Sequence, residues 1–285
     1  MKSSAPKKYK ILIALLCLLL IFTAYALWAD KALTSRAFEI KDKKIPSAFD
    51  GFCIAHVSDL HNTEFGKDNE RLLGKLKDMK PDIIAVTGDS VDSRRTNIDI
   101  TGDFFRRALE IAPVYYVTGN HEARIEEYPV LEAALKELGV IYAEDVLIPI
   151  GRDGKKITLC GVADPYFSAD YLFDDEAYAA ERALDSLNAS DNFTVLLSHR
   201  PEFFELYCKK GFDLVLSGHA HGGQFRLPFV GGFIAPGQGL FPEYDSGLYE
   251  KEGTRMIVSR GLGNSIIPLR LFNRPEIISV ILKSE

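Results

Sequence analysis

The sequence predicts an α/β fold in which two packed sheets are flanked by helices. Three observations point there. From Phe52 onward, apolar strand-like runs alternate with helix-like ones, the pattern of a layered α/β domain. With 285 residues and 47% apolar content, the chain suffices for one well-packed catalytic domain and is short for two large ones. Five polar segments each directly follow a strand-like run: Asp59-Leu60-His61, Gly88-Asp89, Gly119-Asn120-His121, Ser198-His199 and Gly218-His219-Ala220-His221. That placement gathers their side chains at one edge of one sheet, where open α/β sheets hold ligands.

The strands are expected at 52–57, 83–87, 114–118, 157–161, 194–197 and 214–216, and the helices at 69–79, 103–111, 128–138 and 175–186. Pro81 and Gly139 punctuate two helix ends. Past His221, glycines and prolines dominate a long loop from Gly222 to Tyr244. Short strands resume near Leu248, at 256–259 and at 277–282.

The amino terminus reads differently. A basic tail, residues 1–10, precedes an apolar run over 11–28, close to the ~20 residues that a helix needs to cross a bilayer. The run has no polar face, which sets it apart from a helix packed on a core. Ala24-Tyr25-Ala26 has the small-x-small form of a signal-peptidase site, so export after cleavage competes with anchoring. The apolar stretch continues through Leu27 and Trp28, which favours a retained transmembrane helix with Tyr25 and Trp28 in the headgroup zone. Residues 29–50 are expected as a linker and 51–285 as the catalytic domain.

Charge narrows the function. The net charge of −6 splits into +5 over residues 1–50 and −11 over the rest. An acidic body without a basic stripe argues against a nucleic-acid partner, whose phosphates draw on Lys and Arg for affinity. The four cysteines form no C-x-x-C pair, which indicates neither a zinc knuckle nor a disulfide framework. Cys53 and Cys160 fall in strands and read as buried thiols. Carboxylate, imidazole and carboxamide donors without thiolate suit Mn, Fe or Zn, and the clustering predicts a two-metal hydrolase. His56, inside the first strand, reads as sheet packing. Arg94, Arg95 and Arg200 follow the polar segments and are expected at the solvated surface, although each could reach a substrate phosphate. Arg260, Arg270 and Arg274 have no assigned role.

The ordered series D-x-H, G-D, G-N-H, S-H and G-H-x-H resembles the calcineurin-like metallophosphoesterase superfamily over about residues 51–285. The run from Gly218 to Gln224, with Ala235-Pro236-Gly237-Gln238-Gly239 and Tyr244-Asp245-Ser246-Gly247, is similar to a bacterial branch with amino-terminal membrane or export segments. The resemblance implies a four-layer α/β/β/α sandwich of two mixed sheets holding two divalent ions (Mn, Fe or Zn). Carried over by motif, Asp59, His61 and His221 hold the first ion, Asn120, His199 and His219 the second, and Asp89 bridges them. A hydroxide shared by the pair attacks phosphorus in line. His121 is not a ligand but donates to the leaving oxygen.

These assignments imply a phosphoesterase. A phosphodiester is the expected substrate, because anchoring favours large or lipid-linked molecules and His121 serves a poor alkoxide leaving group. Competing readings are cleavage of a pyrophosphate in a nucleotide-activated envelope lipid or sugar, and a metal-stabilised binding protein without turnover. A peptidase is disfavoured, since His121-Glu122 lacks the second histidine of H-E-x-x-H. Oligomeric state leaves no mark in the sequence. The expected partners are therefore a phosphoester substrate and, through residues 11–28, a bilayer. Lys31, Arg36, Lys41, Lys43 and Lys44 nearly balance the basic residues before the span. The short tail nonetheless favours tail inside and catalytic domain outside the cytoplasm. Protease added to intact cells is expected to digest the domain; protection until lysis would reverse the orientation.

Overall fold

The computed structural model describes residues 7–168, 175–187, 191–227, 229–264 and 269–285. The apolar run lies in α1 (Lys7–Lys31), a helix long and apolar enough to cross a membrane, with its large side chains from Ile11 to Phe22 exposed. The first sheet takes β1 (Thr34–Asp42), β2 (Cys53–Val57), β3 (Ile83–Thr87), β4 (Val114–Val117) and β5 (Ile141–Tyr142). The second begins with β6 (Leu147–Arg152), β7 (Lys155–Gly161), β8 (Thr194–Leu197) and β9 (Leu214–Ser217).

Two small ribbons follow, β10 (Arg226–Leu227) with β11 (Gly231–Gly232) and β12 (Ile234–Ala235) with β13 (Gly239–Leu240). Then β14 (Gly247–Lys251) and β15 (Thr254–Val258) complete the second sheet, and β16 (Glu276–Ser284) returns to the first. The orders are β1-β16-β2-β3-β4-β5 and β14-β15-β9-β8-β7-β6. Both sheets are mixed: β2 to β5 are parallel, as are β7, β8, β9 and β15, while antiparallel pairs join β16 to β2, β14 to β15 and β6 to β7.

Three apolar cores separate four layers. Alternation with period two sorts the strand residues among them. In β3, Ile84 and Val86 face the helices α2 (Glu70–Asp78), α3 (Ile98–Leu109) and α4 (Tyr128–Leu138), while Ile83 and Ala85 face the other sheet. In β8, Val195 and Leu197 fill the inter-sheet core, and Leu196 packs under α5 (Glu176–Asp185) and α6 (Phe204–Lys210). Strands buried on both faces read as continuous apolar runs, which is why they are visible in the sequence. Cys53 and Cys160 are buried as expected.

Three expectations need correction. The segment 29–50 is not a simple linker: β1 pairs in parallel with β16 along nine residues, and Ile40 enters the inter-sheet core. The third helix starts at Ile98 instead of 103, because the Asn97 side chain accepts from the Ile100 amide and caps it ahead of Gly102. The loop after His221 is not structureless, since it carries the two ribbons. The register also orients the amino terminus. Arg36, Ile278 and His56 lie in one row across the sheet, so Thr34 sits level with the carboxyl end of β2. The helix α1 therefore enters the body at the same edge where β2 delivers Asp59.

Candidate metal centre

Every polar segment leaves the carboxyl end of a strand: Asp59 and His61 after β2, Asp89 after β3, Asn120 and His121 after β4, His199 after β8, and His219 and His221 after β9. The expectation of a single sheet is corrected here, because β8 and β9 belong to the second sheet. The two sheets open on the same side, and His199 Nδ1 donates across the seam to the Thr87 carbonyl of β3 at 2.8 Å. All eight residues are at most 4% exposed.

The local backbone is bent to aim them. Asp59, His61, Asp89, His219 and His221 all have φ between +46° and +62°. Left-handed conformations cost ordinary residues on the order of 1–2 kcal/mol each, and such strain collects at functional sites. Two neighbouring glycines allow the close approach. A Cβ on Gly119 would collide with the Asp89 carboxylate, and one on Gly218 would collide with Ser58 and Asp59.

Two donor groups share Asp89. In one, Asp59, His61, Asp89 and His221 bring their ligating atoms within 4.8 Å of one another; in the other, Asp89, His199 and His219 do so. Asp89 Oδ2 lies 3.2 Å from His199 Nε2 and 3.6 Å from His61 Nε2. His61 Nε2 and His221 Nε2 face each other at 3.2 Å, and His219 Nδ1 and His199 Nε2 at 3.1 Å. The Asn120 carboxamide oxygen is buried without a hydrogen-bond partner. Nitrogens facing nitrogens, a carboxylate between them and an orphaned amide oxygen are what hard or borderline cations would satisfy, so the residues fit a pair of divalent ions.

Electrostatics agree. Burial holds His61 neutral, pushing it down to about 3, and also lowers His219 and His221, which suits ligation by neutral imidazole. Burial works against the charge on His199, but Asp89 outweighs it and raises that imidazole to about 10. Burial likewise opposes ionisation of Asp89, yet His199 and His121 hold it well below the usual carboxylate range. A cation arriving beside His199 must displace its proton. Burial raises Asp59 to about 6.

A third group, His61, Asp92 and His121, is also compact. Its members are otherwise engaged: Asp92 accepts from the Arg94 amide at 3.0 Å and pairs with Arg95 at 3.2 Å. His121 Nδ1 accepts from the Ser93 amide at 3.0 Å, so in the neutral ring Nε2 carries the proton, and Nε2 lies 4.0 Å from Asp89 Oδ2.

Several residues of the site were not expected from the sequence. Glu122 accepts from the amides of Asp89, Ser90 and Gly119 at 2.9, 2.6 and 2.9 Å and clamps two polar loops together. Burial, then the charge of Asp89, pushes its carboxyl up to about 7. Arg200, expected at the surface, is buried: it grips Asp164 in bidentate fashion at 2.5 and 3.0 Å and reaches Glu202 and His219 at 3.3 Å. Arg270 is fully buried, with Nη1 donating to the Arg260 carbonyl at 2.7 Å and Nη2 3.4 Å from His221 Nδ1. Arg94 and Arg95 are exposed as expected, and Arg94 lines the cleft of about 450 Å³ above Asp89, Asn120 and His121. His56 packs within the first sheet with Nε2 2.8 Å from Thr87 Oγ1. A carboxylate directly after the G-N-H segment was the available signal for Glu122; the two arginines had none.

Glu122→Gln turns one amide-accepting oxygen into a donor facing backbone N–H groups, a cost of ~1–3 kcal/mol. The variant is expected to melt at lower temperature and to retain less metal on elemental analysis. Unchanged melting and metal content would remove Glu122 from its clamping role.

Comparison with known proteins agrees with this geometry. A family model described as calcineurin-like phosphoesterase matches residues 53–223. The metallophosphoesterase YkuE of Bacillus subtilis is 31% identical over 250 residues, covering 86% of this chain and 84% of that protein. The phosphodiesterase YaeI of Escherichia coli is 28% identical over 236 residues, 79% of this chain and 80% of its own. A transmembrane protein with a metallophosphoesterase domain from Danio rerio is 26% identical over 255 residues, 86% of this chain and 56% of that one. The crystal structure of TT1561 from Thermus thermophilus shares the fold with a TM-score of 0.52 at 18% identity, over 74% of this chain and 90% of that one. The chain belongs to the calcineurin-like phosphoesterase family.

Proposed function

We propose that this family member is a membrane-anchored phosphodiesterase working with two divalent ions. The observation that carries the reading is the sharing of one buried carboxylate, Asp89, by two converging donor groups beside the unpartnered Asn120 oxygen. Asp59, His61 and His221 would hold one ion, Asn120, His199 and His219 the other, with Asp89 between them. Two such ions supply a water made acidic near neutral pH and positive charge for the phosphate oxygens.

The chain's own residues supply the rest. His121, with its Nε2 proton fixed by the Ser93 amide on Nδ1, is placed to hydrogen-bond the leaving oxygen. The Glu122 clamp keeps the Asp89 loop against the Asn120 loop. Arg94 and Arg124 line the same cleft and offer cations to an anionic substrate. A diester is favoured because His121 assists an alkoxide leaving group, and the similarity to a phosphodiesterase from E. coli supports it. The helix α1 is taken as a single span with the body outside the cytoplasm, and a lipid-linked phosphoester then lies within reach.

His121→Ala is expected to keep its metal content and lose ~10²–10⁴-fold in turnover, the weight of one positioned acid. Loss of metal from that variant would make His121 a ligand instead. With Mn²⁺ added, bis-nitrophenyl phosphate is expected to turn over faster than nitrophenyl phosphate, and chelation to abolish both reactions. A faster monoester rejects the diester preference, and full activity without divalent ions rejects the two-ion reading.

A further inference from the structure

Apolar side chains stand exposed around the catalytic edge, uncovered by any of the described residues. Beside the β10–β11 turn, Phe229 is fully exposed and Val230 is 62% exposed; at and after β13, Leu240 and Phe241 are 59% and 58% exposed. These ribbons are not remote from the site, since Pro236 and Gly237 line the cleft with His219 and His221. Soluble surfaces seldom group such residues without a partner.

Two observations say what covers them. The first is register: β1 begins level with the end of β2, so α1 leaves the body at the catalytic edge. The second is a continuous line of contacts from α1 to the ribbon. The Tyr25 and Phe272 rings meet at a tilt with centroids 5.5 Å apart, Arg274 lies over Trp28 at 5.1 Å and donates to the Ala32 carbonyl at 2.8 Å, and the Arg226 amide donates to the Leu271 carbonyl at 2.9 Å. Trp28 and Leu27, at the carboxyl end of the span, are themselves exposed, as suits the boundary between bilayer and water. A cleft of about 540 Å³ adjoins this junction and is lined by Asp30, Lys31 and His61 among others.

We infer that Leu227, Phe229, Val230, Leu240, Phe241 and Phe272 form a second bilayer contact, which seats the catalytic cleft against the surface of the membrane that α1 crosses. The inference rests on reading α1 as a span. Aromatic and aliphatic side chains buried at the acyl boundary, beside the cations Arg274 and Lys31, are how interfacial elements hold to lipid. Seated this way, the cleft is presented to phosphoesters at headgroup depth before those in bulk solution.

The test uses the full chain in nanodiscs of phosphatidylcholine with phosphatidylglycerol. Cys17 is exposed and the other three cysteines are buried, so a Cys17→Ala background leaves an introduced cysteine as the site for an environment-sensitive fluorophore. Phe229→Cys is labelled, with Val230→Cys as a second position and Asp153→Cys, in the exposed turn before β7 at the far end of the second sheet, as reference. Turnover of bis-nitrophenyl phosphate confirms that each variant is folded. The expected result is blue-shifted emission, strongly quenched by doxyl-labelled lipid, at 229 and 230 but not at 153. If 229 and 230 are as wet as 153 while the chain stays in the nanodisc, the second contact is refuted and the span stands. Shielding at 229 without quenching by lipid means a second copy of the chain covers the patch and also refutes it. A chain that washes out of nanodiscs overturns the span, and the inference with it.

Discussion

One buried carboxylate organises the working edge of this molecule. Asp89 lies 1% exposed with its charge intact, which a protein interior tolerates only when that charge is matched. His199 at 3.2 Å supplies the opposite charge, and the His121 amide donates to the other oxygen at 2.8 Å. Beneath it, Glu122 gathers the amides at the base of the same loop. The negative charge at the bottom of the cleft is therefore fixed by groups from two other loops, and it faces two sets of ring nitrogens that cations would complete.

Holding that arrangement costs backbone energy. Five of the eight side chains sit in left-handed conformations, and the loops approach each other so closely that Gly119 and Gly218 leave no room for a Cβ. The three stacked cores offset this. With strands such as β3 and β8 buried on both faces, the sheets give the loops rigid footings, and the strain is confined to the residues just past each strand. Rigidity of this kind is what a two-ion site requires, because the ligand atoms of one group must stay within a few ångströms of those in the other.

The same edge receives the long apolar helix α1. Because β1 runs parallel to β16 and antiparallel to β2, the chain arrives from α1 beside the loop that carries Asp59. The basic residues divide along the sheet: Lys31 lies at this edge, while Lys44, paired with Asp213 ahead of β9, lies at the opposite end. Phe272 joins α1 to this edge, its ring tilted against Tyr25 in the strip that carries Arg270 and Asn273 to His221.

Much of this is written in local chemistry. Apolar runs ending in Asp, Asn or His mark both the strands and the donors, since a strand buried on both faces must be apolar throughout and its exit must be polar. The strand β1 stayed hidden because its charged residues alternate with apolar ones and only Ile40 is buried. The start of α3 stayed hidden because Gly102 interrupts a helix that Asn97 caps upstream. The burial of Arg200 and Arg270 was beyond reach, because a guanidinium leaves water only when partners such as Asp164 or the Arg260 carbonyl meet it in space. By itself, then, the sequence determined the layered class, the apolar helix and the polar side chains that meet at the candidate site, all of which follow from side-chain type and short-range order. The tertiary structure alone decided that two sheets share the site, which arginines support it and at which edge of the sheet α1 enters, because register and cross-sheet contacts depend on residues far apart along the chain.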